Sequence, residues 1–265
     1  MFLHVYHAVR HGHRRILVQT VDTDVVVLAV SIAQTLPPEC ELWLAFGTGK
    51  HFKYLAAHTI ASGLGPEKAR VLPVFHALTG CDTVSSFNGH GKKTAWAVWS
   101  VLPELTGALL KVSVAPDDIP QEVMVTIERF VILLYDRTST CTDINTARRK
   151  MFAKKHNAQL IPPTRAALEE HVKRALYQGA HIWSQLSVST PEMPSPCMWG
   201  WSKTSGGDYE PFWTSLPDAG QASYELISCK CKKHCGGRCK CKAAQLKCTA
   251  LCVCEGECIV NSPTF

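Results

Sequence analysis

Nine of the thirteen cysteines of this chain lie in its last thirty-seven residues, and their spacing is typical of a metal cluster. The spacing reads C-x-C-x3-C-x3-C-x-C, then six residues, then C-x3-C-x-C-x3-C. The nine residues are Cys229, Cys231, Cys235, Cys239, Cys241, Cys248, Cys252, Cys254 and Cys258. Thiolates are preferred ligands of structural zinc, which takes four of them in a tetrahedral site. The spacing therefore predicts a zinc-binding module.

The alternative to metal binding is that these cysteines form disulfide bonds. Secreted disulfide scaffolds normally have an even number of cysteines and follow a signal peptide. Here the number is odd, and the histidine-rich first fifteen residues have too short an apolar run for a secretory signal. Nine sulfurs supply the twelve ligand positions of three zinc ions if three of the sulfurs each bridge two ions. We therefore favour three structural zinc ions over oxidised or mixed cysteine chemistry.

The segment from Cys229 to about Asn261 resembles the tesmin-type CXC domain in all nine cysteine positions. That domain is a Zn3Cys9 module of nuclear proteins, and it often binds DNA. The resemblance implies a nuclear, reducing location for this chain. One position differs, because the best-known DNA-binding members have an aromatic residue before the fourth cysteine, where this chain has Arg238.

The charge of the cysteine-rich segment favours a polyanionic partner. Between Cys229 and Cys258 the sequence has seven basic and two acidic residues, which accounts for +5 of the formal +6 of the chain. Nine thiolates and three zinc ions would leave this segment at about +2, so lysines on one face would still attract phosphate. We predict contact with DNA or RNA; in the alternative, the basic residues only offset the thiolates. The predicted contact residues are Lys230, Lys232, Lys233, Arg238 and Lys240.

The rest of the chain is long enough for one domain in front of this module. Its composition is that of a globular protein, with 46% hydrophobic and 19% charged residues overall, and it has no run of eighteen apolar residues that would span a membrane. Proline, serine, glycine and tryptophan become frequent after Trp183. We therefore predict a body over residues 1–185, an arm or linker over 186–227 and the CXC domain over 228–262.

The pattern of the body indicates an α/β fold with a small central sheet wrapped by helices. Short apolar runs predict strands over residues 15–20 and 41–46. Helical spacing predicts the remaining elements over 2–11, 25–36, 52–62, 66–78, 122–135, 142–155 and 163–177.

Two short motifs in the body could carry chemistry. Asp22 and Asp24 follow the first predicted strand, where they could hold Mg²⁺ or, in the simpler alternative, begin a helix. The second motif runs from Leu78 to Trp96 and contains Asp82, Gly89, Gly91, Lys92 and Lys93. Glycines and backbone amides at a helix start allow close contact with phosphate, as in a helix–hairpin–helix. The alternative is a packing turn with solvated lysines.

These two motifs resemble the D-x-D and G-C-D…G-I-G-x-K-x-A segments of flap endonucleases, which have a PIN-like fold. The resemblance covers about residues 1–100 and implies a partial PIN-like sheet. It implies that Asp22, Asp24 and Asp82 are catalytic Mg²⁺ ligands, and that Gly89, Gly91, Lys92 and Lys93 bind duplex phosphates. The family has further acids upstream of the D-x-D, whereas the first thirty residues here contain no carboxylate besides Asp22 and Asp24.

The body also resembles transposon-associated, uncharacterised animal proteins, and we interpret this chain as a truncated or decayed copy of one. We therefore predict a zinc-containing nucleic-acid-binding protein that derives from a metal-dependent, structure-specific nuclease and is inactive as this chain. One alternative is an active Mg²⁺-dependent endonuclease, if the upstream acids exist. The other is a CXC-type chromatin or protein-interaction adaptor without nuclease ancestry.

Overall fold

The first part of the chain folds into a small mixed sheet. The computed structural model describes residues 1–155, 160–214, 229–231, 235–236, 239–243, 248 and 252–254. Strand β1 (Arg15–Thr20) is parallel to β2 (Glu41–Phe46), and β3 (Lys53–Ala56) is antiparallel to β2. Parallel neighbours need a long crossover connection, which helix α2 (Thr23–Ala33) provides. The predicted strands β1 and β2 and the helices predicted over residues 2–11 and 25–36 are confirmed.

One predicted element is wrong. The helix expected over residues 52–62 is instead the edge strand β3 followed by helix α3 (Ala57–Leu64). The first residues of this segment hydrogen-bond along β2, where Lys53 lies opposite Phe46 and Ala56 lies opposite Trp43. Pairing with a neighbouring strand thus overrides the apolar spacing that suggested a helix.

Helices α1 (Phe2–Arg10), α2 and α3 cover one face of the sheet and bury Leu42 and Leu44 completely. Short 3₁₀ turns follow at Gly49–His51 and later at Trp183–Gln185. Mixed strands and helices agree with the predicted α/β class, while the PIN-like identity of the sheet stays a prediction.

The second part of the body is helical and has its own core around Trp99 and Phe130, which are both buried. No helix in the part of the chain that the structure describes has the length and apolar character needed to cross a membrane. The helices are α4 (Pro66–Leu78), α5 (Lys92–Val101), α6 (Glu104–Lys111), α7 (Gln121–Tyr135), α8 (Ile144–Lys155) and α9 (Arg165–Leu176), with a π-helical turn at Tyr177–Ile182.

Helix α4 connects the two cores, because Ala69 belongs to the sheet core whereas Val74 belongs to the helical core. The π-helical turn packs closely against this helix at Gly179. A Cβ at that position would lie 2.8 Å from the Cα of Val74, so only glycine fits there without a backbone shift.

The predicted arm is partly packed against the body. After a 3₁₀ turn at Pro196–Met198, strands β4 (Trp201–Lys203) and β5 (Tyr209–Pro211) form a short hairpin. Trp199 is buried against His181, with ring centroids 4.4 Å apart, and belongs to the helical core. Residues 215–227 of the predicted arm lie outside the described residues. Of the predicted CXC domain, the described part includes one short helix, α10 (Lys240–Ala243).

Candidate metal centre

Eight of the nine predicted cysteine ligands come together in one compact group of sulfurs. The Sγ atom of Cys229 lies 3.6 Å from that of Cys235 and 3.7 Å from those of Cys248 and Cys254. The sulfurs of Cys241 and Cys252 are 3.6 Å apart, although eleven residues separate them in sequence. The ninth predicted ligand, Cys258, lies outside the described residues.

The sulfur separations fit metal ligation and exclude disulfide bonds among the described cysteines. A disulfide has an S–S length of about 2.05 Å, and no disulfide joins any two of the described cysteines. Four thiolates around zinc, each about 2.3 Å from the ion, have sulfurs about 3.8 Å apart by tetrahedral geometry. The separations between neighbouring sulfur atoms, which are not bonded to each other, are 3.4–3.7 Å. The module can therefore bind zinc.

Backbone hydrogen bonds bring distant parts of the cysteine module together. The amide of Val253 donates to the carbonyl of Cys229 at 3.0 Å, and the amide of Cys229 points to the Cys252 sulfur at 3.4 Å. Cys239 lies at the start of α10, where the backbone N–H of Lys242 donates to its sulfur and lowers the pKa of Cys239 to about 6. The thiolate that zinc requires is thus favoured at this position near neutral pH.

The sulfurs form three overlapping sets of four, and within each set all the ligand atoms lie within 4.8 Å of one another. Cys229 belongs to all three sets, whereas Cys239 and Cys248 each belong to two. The sets are Cys229, Cys231, Cys235 and Cys239; Cys229, Cys239, Cys241 and Cys248; and Cys229, Cys248, Cys252 and Cys254. Overlap of this kind is what metal ions that share bridging thiolates require.

Two of the predicted basic contact residues can be located on this module. Lys230 and Lys240 are exposed, and each is next to a buried cysteine of the cluster. Lys232, Lys233 and Arg238, which were also predicted to contact nucleic acid, lie outside the described residues.

The two carboxylates of the D-x-D motif lie at the end of β1, as predicted, but both have structural partners. Asp22 is the N-cap of α2, and its carboxylate accepts a hydrogen bond from the amide of Asp24 at 2.8 Å. The Asp24 carboxylate is 2.7 Å from Nε2 of His76 on α4. Burial lowers the pKa of His76, with a further contribution from the nearby Lys92, against the attraction of Asp24. His76 has no signal in the sequence that marks it as this partner.

Lys92 points inward rather than towards solvent. Its Nζ donates to the carbonyls of His76 and Gly80, each at 2.5 Å, and to the Thr79 hydroxyl at 2.9 Å. Burial lowers the pKa of Lys92 to about 8, against the attraction of Cys81 and Asp24. The ammonium therefore satisfies carbonyl groups at the end of α4, which have no partner within the helix.

The other residues of the glycine-rich motif are more open. Gly89 adopts a positive φ of 74° in a tight turn, and Gly91 is the N-cap of α5. The predicted helix–hairpin–helix that grips phosphate stays a prediction. Lys93, the neighbour of Lys92, is exposed. Asp82 is exposed in the turn between Cys81 and Val84.

In the described part of the chain, the sets of three or more metal-ligating side chains with ligand atoms within 4.8 Å are all made of cysteines. The predicted Mg²⁺ site of Asp22, Asp24 and Asp82 does not form such a set and stays a prediction. Comparison with known proteins gives no match to any family model, to any curated protein or to any solved structure.

The inward position of Lys92 leads to a stability prediction. We expect Lys92→Met to lower the free energy of unfolding by about 1–3 kcal/mol, because the partly buried carbonyls of His76 and Gly80 lose their donor. Denaturant unfolding would measure the change. The matched control Lys93→Met removes an exposed lysine at the next position and should change stability by less than about 0.5 kcal/mol. Equal effects of the two substitutions would contradict the inward role of Lys92.

Proposed function

We propose that this protein is a nuclear, zinc-containing nucleic-acid-binding protein, in which a cluster of three zinc ions presents basic residues to phosphate. Its body derives from a metal-dependent nuclease and does not cleave nucleic acid as this chain. The overlap of the three sulfur sets carries the proposal, because nine thiolates can complete three tetrahedral sites only by sharing ligands.

The overlap also suggests which cysteines bridge. Cys229, Cys239 and Cys248 are the three that occur in more than one set, so we assign them as the bridging ligands. Each ion then has two bridging and two terminal thiolates. Terminal ligands would be Cys231 with Cys235 at the first ion, Cys252 with Cys254 at the second, and Cys241 with Cys258 at the third.

The charge balance supports a polyanionic partner for this cluster. Three zinc ions offset six of the nine thiolate charges, and the basic residues leave a net charge of about +2 between Cys229 and Cys258. Exposed Lys230 and Lys240 flank buried ligands, so their charges project from a rigid, metal-bound centre. A positively charged rigid surface gains affinity for nucleic acid by releasing counterions from the phosphates.

The carboxylates of the body support nuclease ancestry without cleavage. Asp22 and Asp24 lie at the carboxyl end of β1, which is where ligands gather in open α/β sheets. However, Asp24 is paired with His76, and the ammonium of Lys92 lies within electrostatic range of the same carboxylate. A two-metal site needs several carboxylates that are free to bind both ions, and the described residues form no metal-ligating set of three or more groups that includes a carboxylate.

The nucleic-acid contact can be tested with exposed lysines. We expect the zinc-loaded protein to bind duplex DNA, and the double substitution Lys230→Ala with Lys240→Ala to weaken binding similarly for all sequences. The slope of log K against log salt should flatten by about 1–2 units, since phosphate contacts are lost. Fluorescence anisotropy across a salt series would measure it.

The matched control for this experiment is Lys50→Ala with Lys203→Ala, which removes one exposed lysine of the body and one of the arm and should leave the salt slope unchanged. Lys93→Ala could flatten the salt slope while the double substitution Lys230→Ala with Lys240→Ala leaves it unchanged. The nucleic-acid contact would then lie at the glycine-rich turn instead of the cysteine module. A zinc-loaded protein that binds neither DNA nor RNA would contradict the proposal and favour a protein-interaction adaptor.

The absence of cleavage gives a separate prediction. With Mg²⁺ or Mn²⁺ present, we expect flap-containing DNA to stay uncut by this chain, because Asp24 is engaged by His76 and the described residues form no set of three or more carboxylates. Gel analysis of end-labelled DNA would measure cleavage, with Asp24→Asn as the control variant. Metal-dependent cleavage that disappears in Asp24→Asn would show an active endonuclease and refute this part of the proposal.

A further inference from the structure

A group of exposed histidines at the end of helix α1 has no role in the proposed zinc chemistry or in the proposed contact with nucleic acid. His4 and His7 lie within this helix, and His11 is its C-cap. Their spacing of three and four residues places them on one face of the helix. This face is exposed, whereas Phe2 and Val5 are buried in the sheet core. The packing of α1 therefore depends on apolar residues and leaves the histidine rings accessible.

Two of these histidines, His7 and His11, form a close pair. Their ring centroids are 4.1 Å apart, and the ring planes are tilted by 34°. Two nitrogens that bind one ion at about 2.1 Å each are at most about 4.2 Å apart, so the rings already lie within the separation that a shared ion requires. Two histidines four residues apart on a helix are also the pair that binds zinc in H-E-x-x-H helices.

A backbone carbonyl sets the tautomer of His11. Its Nδ1 lies 2.9 Å from the carbonyl oxygen of His7, which can only accept a hydrogen bond. In the neutral ring Nδ1 therefore carries the proton, and the lone pair is on Nε2. Metal-binding histidines are commonly oriented in this way, through a hydrogen bond from the second ring nitrogen to a carbonyl or carboxylate. The His11 ring is thus held with Nε2 ready to bind an ion.

The local charges permit a cation at this position. The pair lies at the C-terminal end of α1, where the helix carbonyls carry a partial negative charge that favours cations. Arg14, which donates to the carbonyl of Val9, is offset by its ion pair with Glu39 at 3.0 Å. Arg10 is exposed, so water and salt screen its charge.

The ligand chemistry selects a transition metal. Mg²⁺ and Ca²⁺ prefer oxygen ligands, and the first 21 residues contain no carboxylate side chain. Imidazole nitrogens suit zinc, copper and nickel. His4 and His7 line an open cleft of about 820 Å³ beside the pair, which leaves room for water molecules to complete the coordination.

We propose that His7 and His11 bind one divalent transition-metal ion through imidazole nitrogens, with water in the remaining positions. This site is separate from the cysteine module. Two nitrogens hold an ion more weakly than four thiolates, so dialysis empties the histidine site and leaves the cluster ions in place.

The proposal can be tested by calorimetric titration of Ni²⁺ into the zinc-loaded, dialysed full-length chain without an added histidine tag. We expect one Ni²⁺ per chain, bound without release of zinc. His7→Gln and His11→Gln should each weaken Ni²⁺ binding at least about tenfold, because loss of a ligand costs no less than loss of a group that orients one. The matched control is His51→Gln, which removes an exposed histidine from another part of the sheet region and should leave the affinity unchanged.

Four results would overturn the proposal. They are no Ni²⁺ binding, an unchanged affinity in His7→Gln or His11→Gln, an equal loss in His51→Gln, and Ni²⁺ uptake that releases zinc and persists in His7→Gln. Several weak sites of equal affinity per chain would identify adventitious binding only and would also overturn it. The zinc content and duplex binding of the cysteine module should not change in His7→Gln, so failure of this proposal is separable from failure of the proposed function.

Discussion

The body depends on the packing of one helix, α4, because this helix contributes to both hydrophobic cores. Its carbonyl end is held by the half-buried ammonium of Lys92, and its His76 contacts the Asp24 carboxylate of α2. The π-helical turn at Gly179 packs against its middle. Contacts that converge on α4 therefore hold the sheet and the helical half in one arrangement, and Trp183 also packs against both cores. The residues that resemble nuclease motifs are part of this support.

The cysteine module obeys a different constraint, which is electrostatic. Two thiolates about 3.6 Å apart repel by roughly 4–5 kcal/mol at an effective dielectric constant of 20. The described sulfurs lie at 3.4–3.7 Å from their neighbours, so they cannot all be ionised without cations between them. Zinc supplies that charge and, through shared ligands, fixes the geometry. Packing of apolar side chains has a minor part in this module, whose core consists of cysteines.

The apolar periodicity and the cysteine spacing of the sequence were sufficient to predict some features of the structure and insufficient to predict others. The cysteine spacing predicts a metal cluster because cysteines so close in sequence have few other roles. The apolar runs predict β1 and β2 because buried strands consist of apolar residues. Strand β3 was missed because its conformation depends on pairing with β2. The Asp24–His76 contact joins residues 52 positions apart, and only the packing of α2 against α4 brings them together. The inward position of Lys92 was likewise hidden, because a lysine beside glycines has the same local sequence whether it binds phosphate or caps a helix.

The assignment of bridging cysteines is the central claim, and native mass spectrometry of the zinc-loaded protein tests it most directly. The account predicts three zinc ions per chain, and three again in Cys197→Ser, which changes an exposed cysteine outside the module. The bridging variant Cys248→Ser should lose two ions, whereas the terminal variant Cys252→Ser should lose no more than one. One or two zinc ions in the unmodified chain, or the same loss in Cys248→Ser and Cys252→Ser, would contradict the shared-ligand cluster.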